Sequence, residues 1–151
     1  MAENHSFWSE ALHLENEAQI NWVKNALTFD SSEYESDEDA AIALNEETGI
    51  KSIAEDISSW PEFEFNIDEK SKVVYLYSEG DGNISNLVKF VQGFLSSFRP
   101  NGFFHLEWAD TCSKPRAGEF GGGAVFITAN KTKYMLTSEW IRNQISEFEG
   151  A

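Results

Sequence analysis

The stretch that decides the fold runs from residue 73 to residue 108 and reads VVYLYSEGDGNISNLVKFVQGFLSSFRPNGFFHLEW. Its first five residues are apolar on both faces of an extended chain, as in a strand inside a sheet. Asn83 can cap a helix whose apolar positions recur at helical spacing: Ile84, Leu87, Val88, Val91, Leu95 and Phe98. Residues 99–102 end that helix. Phe104, Leu106 and Trp108 then alternate with polar residues, which predicts a second strand.

The preceding part of the chain contains further helix and strand patterns. Residues 7–14 have the pattern of a strand, and a helix is expected over residues 17–28. Asp39 can cap a short helix, and a second short helical pattern covers residues 50–57. Alternating apolar side chains then predict a strand at the edge of a sheet: Phe63, Phe65 and Ile67.

The chain ends in one more strand pattern and one more helix pattern. Residues 124–129 are expected to form a strand, and Thr137 or Ser138 can cap a closing helix. Four apolar side chains of that helix are expected to face inward: Trp140, Ile141, Ile145 and Phe148. The whole pattern predicts a single α+β domain over residues 1–151. We expect a two-layer sandwich with a mostly antiparallel sheet and helices on one face, of ferredoxin-like split βαβ topology.

The net charge of −15 lies entirely in the first half of the chain. Residues 1–70 carry 18 acidic side chains and three lysines, whereas residues 71–151 carry eight side chains of each sign. An acidic field repels nucleic acid and anionic lipid and attracts basic surfaces. We therefore expect no direct contact with nucleic acid or membrane, and a basic protein surface as the partner.

Cysteine usage and the first residues indicate a reducing, cytoplasmic location. Cys112 has no second cysteine to pair with, and residues 1–10 lack the basic and apolar regions of a signal peptide. The three histidines do not have metal-ligand spacing. Gly80-Asp81-Gly82 lacks the third glycine of a dinucleotide-binding turn. We expect neither a metal nor a cofactor.

The densest acidic segment, residues 29–39, is expected to be a mobile loop, because its charges repel one another. One interpretation is a solubilising loop. The other is a partner-binding surface that imitates the phosphates of a nucleic acid, with an aromatic anchor among the acids. Its residues would be Glu33, Tyr34, Glu35, Asp37, Glu38 and Asp39.

A long irregular connection at residues 110–123 is the second candidate. In the functional interpretation, glycine amides approach a phosphate or carboxylate while two basic side chains supply charge. In the structural one, glycines fill a bulge or a close backbone crossing, and the basic side chains tie the loop to the acidic half. The residues concerned are Lys114, Arg116, Gly121, Gly122 and Gly123.

Catalytic candidates are confined to one strand and the loop after it. His105 and Glu107 share a strand face and form a geometrically possible acid/base pair, and Cys112 follows a few residues later. A solvent-facing His and Glu are also ordinary on the open side of an antiparallel sheet.

Three consecutive segments carry a family resemblance: CSKPR at 112–116, GEFGGG at 118–123 and AVF at 124–126. In these the chain resembles a group of small uncharacterised proteins of bacteriophages, plasmids and related bacterial mobile elements. The resemblance implies a setting in a bacterial cytoplasm. It implies no activity and assigns no site residue.

Two classes of function follow. The first is an acidic, non-enzymatic binding protein that inhibits a bacterial nucleic-acid-handling or defence protein by occupying its basic surface. The second is a small-ligand-binding or enzymatic module centred on the 110–123 loop. The charge distribution favours the first.

Overall fold

The computed structural model describes residues 4–52 and 54–150. Within them lie six strands: β1 (Asn4–His13), β2 (Glu64–Asp68), β3 (Val73–Gly80), β4 (Phe103–Cys112), β5 (Gly121–Thr128) and β6 (Thr132–Leu136). The α-helices are α1 (Glu17–Leu27), α2 (Asp37–Thr48), α3 (Ala54–Ile57), α4 (Ile84–Phe98) and α5 (Thr137–Gly150). A single 3₁₀ turn (Ser31–Glu33) connects α1 to α2.

The six strands form one sheet in the order β2-β3-β1-β4-β5-β6, and all neighbours are antiparallel. The unit β3-α4-β4 is a split βαβ, because β1 lies between its two parallel strands. The first four strands thus have the ferredoxin-like order, and β5 and β6 extend the sheet beyond β4. The predicted α+β sandwich with an antiparallel sheet is confirmed.

Helix α4 supplies the centre of the core. The side chain of Asn83 accepts a hydrogen bond from the amide of Asn86 at 2.9 Å, which confirms the predicted cap. Trp22 of α1 packs against three rings of α4, with ring centroids 5.6–6.1 Å apart: Phe90, Phe94 and Phe98. These rings and the buried strand residues form one cluster, so the core is built around aromatic side chains.

The helical layer covers only one face of the sheet. Buried strand residues recur at alternate positions, and cross-strand partners such as Leu12 and Val74, or Leu106 and Val125, are both buried. The intervening positions face away from the core and are mostly exposed. We call this second side the open face.

The structure corrects several expectations at the ends of elements. Strand β6 was not predicted, because TKYML shows little alternation. Ser36, not Asp39, caps α2, and its hydroxyl accepts a hydrogen bond from the amide of Asp39 at 3.1 Å. Residues 37–39 are therefore helical rather than part of a loop. Within the predicted short helix at 50–57, residue 53 lies outside the described residues.

The closing helix α5 is present, but its four apolar side chains do not face inward. Trp140, Ile141, Ile145 and Phe148 are all exposed, and no residue of α5 is buried. The helix begins directly after the edge strand β6 and contacts β5 and β6, but these contacts bury none of its residues. The amphipathic pattern correctly predicted an apolar side but not what covers it.

Candidate functional site

The acidic segment is held in place by local hydrogen bonds and one ring contact. The carboxylate of Asp30 accepts hydrogen bonds from the amide of Ser32 at 2.9 Å and from its hydroxyl at 2.7 Å. These bonds, the hydroxyl's above all, lower the pKa of Asp30. The ring of Tyr34 stacks on Phe29 with centroids 5.5 Å apart. Its hydroxyl donates to Glu47 of α2 at 3.3 Å.

Tyr34, which the sequence suggested as a stacking or anchor residue for a partner, stacks on Phe29 of its own chain. It packs against the core cluster as a partly buried side chain. Desolvation raises the pKa of its phenol, and the nearby carboxylate of Glu47 raises it further. Tyr34 thus joins the acidic segment to α2 through its hydrogen bond to Glu47.

The carboxylates of residues 33–39, on either side of Tyr34, all face solvent. Five of them are exposed and make no ion pair within the described part of the chain: Glu33, Glu35, Asp37, Glu38 and Asp39. The last three lie in the first turn of α2, where the helix dipole favours negative charge. The result is a compact acidic surface, which we call the acidic turn, on an ordered backbone.

The 110–123 connection is shorter than predicted, because β4 continues to Cys112 and β5 begins at Gly121. The amide of Gly122 donates to the hydroxyl of Thr137 at 3.1 Å, and that hydroxyl donates to the carbonyl of Gly122 at 3.1 Å. A Cβ at Gly122 would collide with the carbonyl oxygen of Trp108. A Cβ at Gly123 would lie 2.5 Å from the carbonyl oxygen of Met135. Both glycines therefore permit close packing between strands.

The two basic side chains of the connection point into solvent. Lys114 and Arg116 are exposed, and neither forms an ion pair with any residue that the structure describes. The turn itself is closed by two backbone hydrogen bonds. The amide of Arg116 donates to the carbonyl of Lys114, and the amide of Glu119 donates to the carbonyl of Arg116. The expected tie between these cations and the acidic half is not formed.

The catalytic candidates are not brought together. His105 and Glu107 lie on the open face, as predicted, but Cys112 is five residues further along the same strand and belongs to the opposite face. At about 3.3 Å per residue, Glu107 and Cys112 are roughly 17 Å apart along β4. His105 stacks on Phe103 with centroids 6.4 Å apart. The strand offers no nucleophile beside an acid/base pair.

A depression of about 380 Å³ lies at the sheet end that carries the 113–120 connection. Its lining includes Gly121 and Gly122 of β5 and Ser6 of β1, whose hydroxyl donates to Asp110 at 2.6 Å. Lys114 and Arg116 do not line it. Sequence patterns missed Ser6 and Asp110 because they are 104 residues apart and meet only through the β1–β4 pairing.

The open face is the feature that the sequence revealed least. It carries exposed large side chains from five different strands: Phe7, Tyr75, Phe103, Phe126 and Met135. The rings of Phe103 and Phe126 stack with centroids 5.3 Å apart. The alternation in FFHLEW indicated the outward direction of one strand, but only the strand order assembles the surface.

Comparisons with known proteins give no family assignment. No protein-family model, no curated protein and no solved structure matches the chain. The resemblance to proteins of mobile elements therefore stays a prediction.

No helix among the described residues has the length and apolar content needed to span a membrane. Residues 4–52 and 54–150 contain no group of three or more His, Cys, Asp or Glu side chains that could hold a metal ion.

We expect Gly122→Val to cost at least about 3 kcal/mol of unfolding free energy, because the added side chain meets the backbone of β4. Replacing Lys114 and Arg116 together by Ala should change it by less than about 0.5 kcal/mol, since both side chains are exposed. Urea unfolding monitored by circular dichroism measures both values. A loss of several kcal/mol in the double variant would show that these cations are structural.

The raised pKa of Tyr34 predicts a pH dependence at the alkaline end. The folded state favours the neutral phenol, so this stabilisation is full below pH 10.0 and is lost as the pH rises through the folded pKa. Tyr34→Phe should make the alkaline loss of stability shallower. Unfolding curves recorded at several pH values test this, and parallel profiles for the wild type and the variant would contradict it.

Proposed function

We propose that this chain is an acidic, non-enzymatic binding protein that occupies a basic surface of a bacterial nucleic-acid-handling or defence protein. The observation that carries the proposal is the acidic turn, in which five exposed carboxylates project from an ordered backbone without cationic partners among the described residues. A backbone that is already held in one conformation loses less conformational entropy on binding than that of a mobile loop.

The charge distribution supports the same partner chemistry. The first 70 residues carry the whole net charge, and besides β1 and β2 they include the helices α1, α2 and α3, which lie on one side of the sheet. A field of one sign on one side attracts basic surfaces over long distances and accelerates their association. Nucleic-acid-binding grooves present such surfaces, since they are lined by Lys and Arg.

The alternative, a small-ligand-binding or enzymatic module at the 110–123 connection, is less well supported. The amide of Gly122 is already bonded to Thr137, and the two cations of the connection do not line the depression. His105 and Glu107 face the other side of the sheet from Cys112. We therefore retain the binding function.

The test replaces the five carboxylates of the acidic turn by amides: Glu33→Gln, Glu35→Gln, Asp37→Asn, Glu38→Gln and Asp39→Asn. A matched control loses the same charge from exposed residues elsewhere: Glu17→Gln, Glu55→Gln, Glu64→Gln, Glu79→Gln and Glu147→Gln. Each protein is immobilised and exposed to a bacterial lysate, and the bound proteins are identified by mass spectrometry. The wild type and the control should retain basic, nucleic-acid-binding proteins that the acidic-turn variant loses.

Association rates with the purified partner then show whether the acidic turn itself, and not the overall net charge, accelerates binding. Raising the ionic strength from about 0.01 M to about 0.15 M shortens the screening length from about 30 Å to about 8 Å. The wild-type on-rate should fall at least about tenfold, with a smaller fall for the acidic-turn variant. A DNA duplex should compete for the partner. Equal capture by all three proteins, or no competition by DNA, would refute the proposed function.

A further inference from the structure

Helix α5 exposes an apolar side along its whole length. The exposed fractions are 61% for Trp140, 53% for Ile141, 51% for Ile145 and 85% for Phe148. No residue separates β6 from α5, and the first residue of the helix is bonded twice to Gly122. These two bonds hold the first residue of α5 against β5.

The apolar side of α5 is continuous with the open face. Met135, on the open face of β6, lines one depression of about 500 Å³ together with Trp140 and Ile141 of the helix. Beyond Met135 the open face contains small side chains at its centre, Ala109 and Ala124, and aromatic rings further out. Helix and sheet thus form one surface with an inner angle, which carries these apolar side chains together with the exposed His105 and Glu107 of β4.

We propose that this surface binds a second copy of the same chain. In the resulting symmetric dimer, α5 of each copy lies against the open face of the other copy. The two α5 helices also contact each other, so the same surface of both copies is covered. The dimensions agree, because the 14 residues of α5 extend about 21 Å and six strands span about 24 Å.

The area that the dimer would bury is within the range of stable interfaces. Nine large apolar side chains, five on the open face and four on α5, are between 41% and 85% exposed. An aromatic ring can bury about 150–250 Å², so covering these side chains removes roughly 700 Å² per copy from water. Stable interfaces bury about 800 Å² per partner, and an uncovered apolar patch of this size is unusual on a monomer.

The charge distribution permits a second copy at this surface. The surface belongs largely to residues 71–151, which carry eight side chains of each sign and no net charge. The acidic helices α1 and α2 lie on the other side of the sheet, so the densest negative charge of each copy stays away from the contact. The dimer leaves both acidic turns exposed.

Sedimentation velocity of the wild-type chain tests the proposal, and it should give twice the chain mass. Ile141→Glu combined with Ile145→Glu should weaken the dimer by about 100-fold or more, because two charges enter the apolar interface. The matched control, Asn143→Glu combined with Ser146→Glu, adds the same charge to the opposite side of α5 and should remain dimeric. Circular dichroism verifies that α5 stays helical in both.

A second variant tests the sheet side of the contact. Phe126→Asp changes an exposed side chain of the open face, 43% accessible, and should dissociate the dimer while leaving the fold intact. A wild-type mass of one chain at the highest attainable concentration would overturn the proposal. So would a dimer that persists in Phe126→Asp, because the helices alone would then form the contact.

Discussion

The packing of α4 and α1 on one face of a single antiparallel sheet is the constraint on which the rest of the structure depends. The rings of Trp22, Phe90 and Phe94 fill the space between the layers, and alternate positions of the strands complete it. A sheet has two faces, and these helices cover one of them. The other face and the helix that extends from its edge remain uncovered, so the protein separates a polar, acidic side from an apolar one.

This separation accounts for how the chain can be strongly acidic and also carry an extensive exposed apolar surface. The acidic residues cluster on the helical side, where Asp30, Ser36 and Tyr34 hold the segment before α2 in a defined conformation. Apart from Phe7, the large apolar residues of the open face and α5 belong to the charge-balanced half. A dimer formed through the second surface would present two acidic turns, and it would increase the avidity for a partner with repeated basic sites.

The sequence allowed the fold to be predicted where local periodicity and burial coincide. The cap at Asn83, the apolar side of α4 and the strands around it follow from spacing alone, and they define the split βαβ. Elements whose environment depends on tertiary contacts were not predictable. Strand β6 is short and lies at an edge, α5 has an apolar side but no cover within the described chain, and Tyr34 stacks on Phe29 through a turn that composition does not specify. The same holds for the glycines of β5, whose neighbours Trp108 and Met135 come from two other strands.

The central claim is that the acidic segment is an ordered support for its carboxylates and not a mobile loop. Amide hydrogen exchange of the free protein, resolved over residues 29–48, measures this directly. The amides of Tyr34, Asp39 and Ala40 donate to Ser31 and Ser36, so the account predicts that their exchange is slowed well below the rate of an unstructured peptide. Exchange at the unstructured rate throughout residues 29–39, with protection beginning only further along α2, would contradict it.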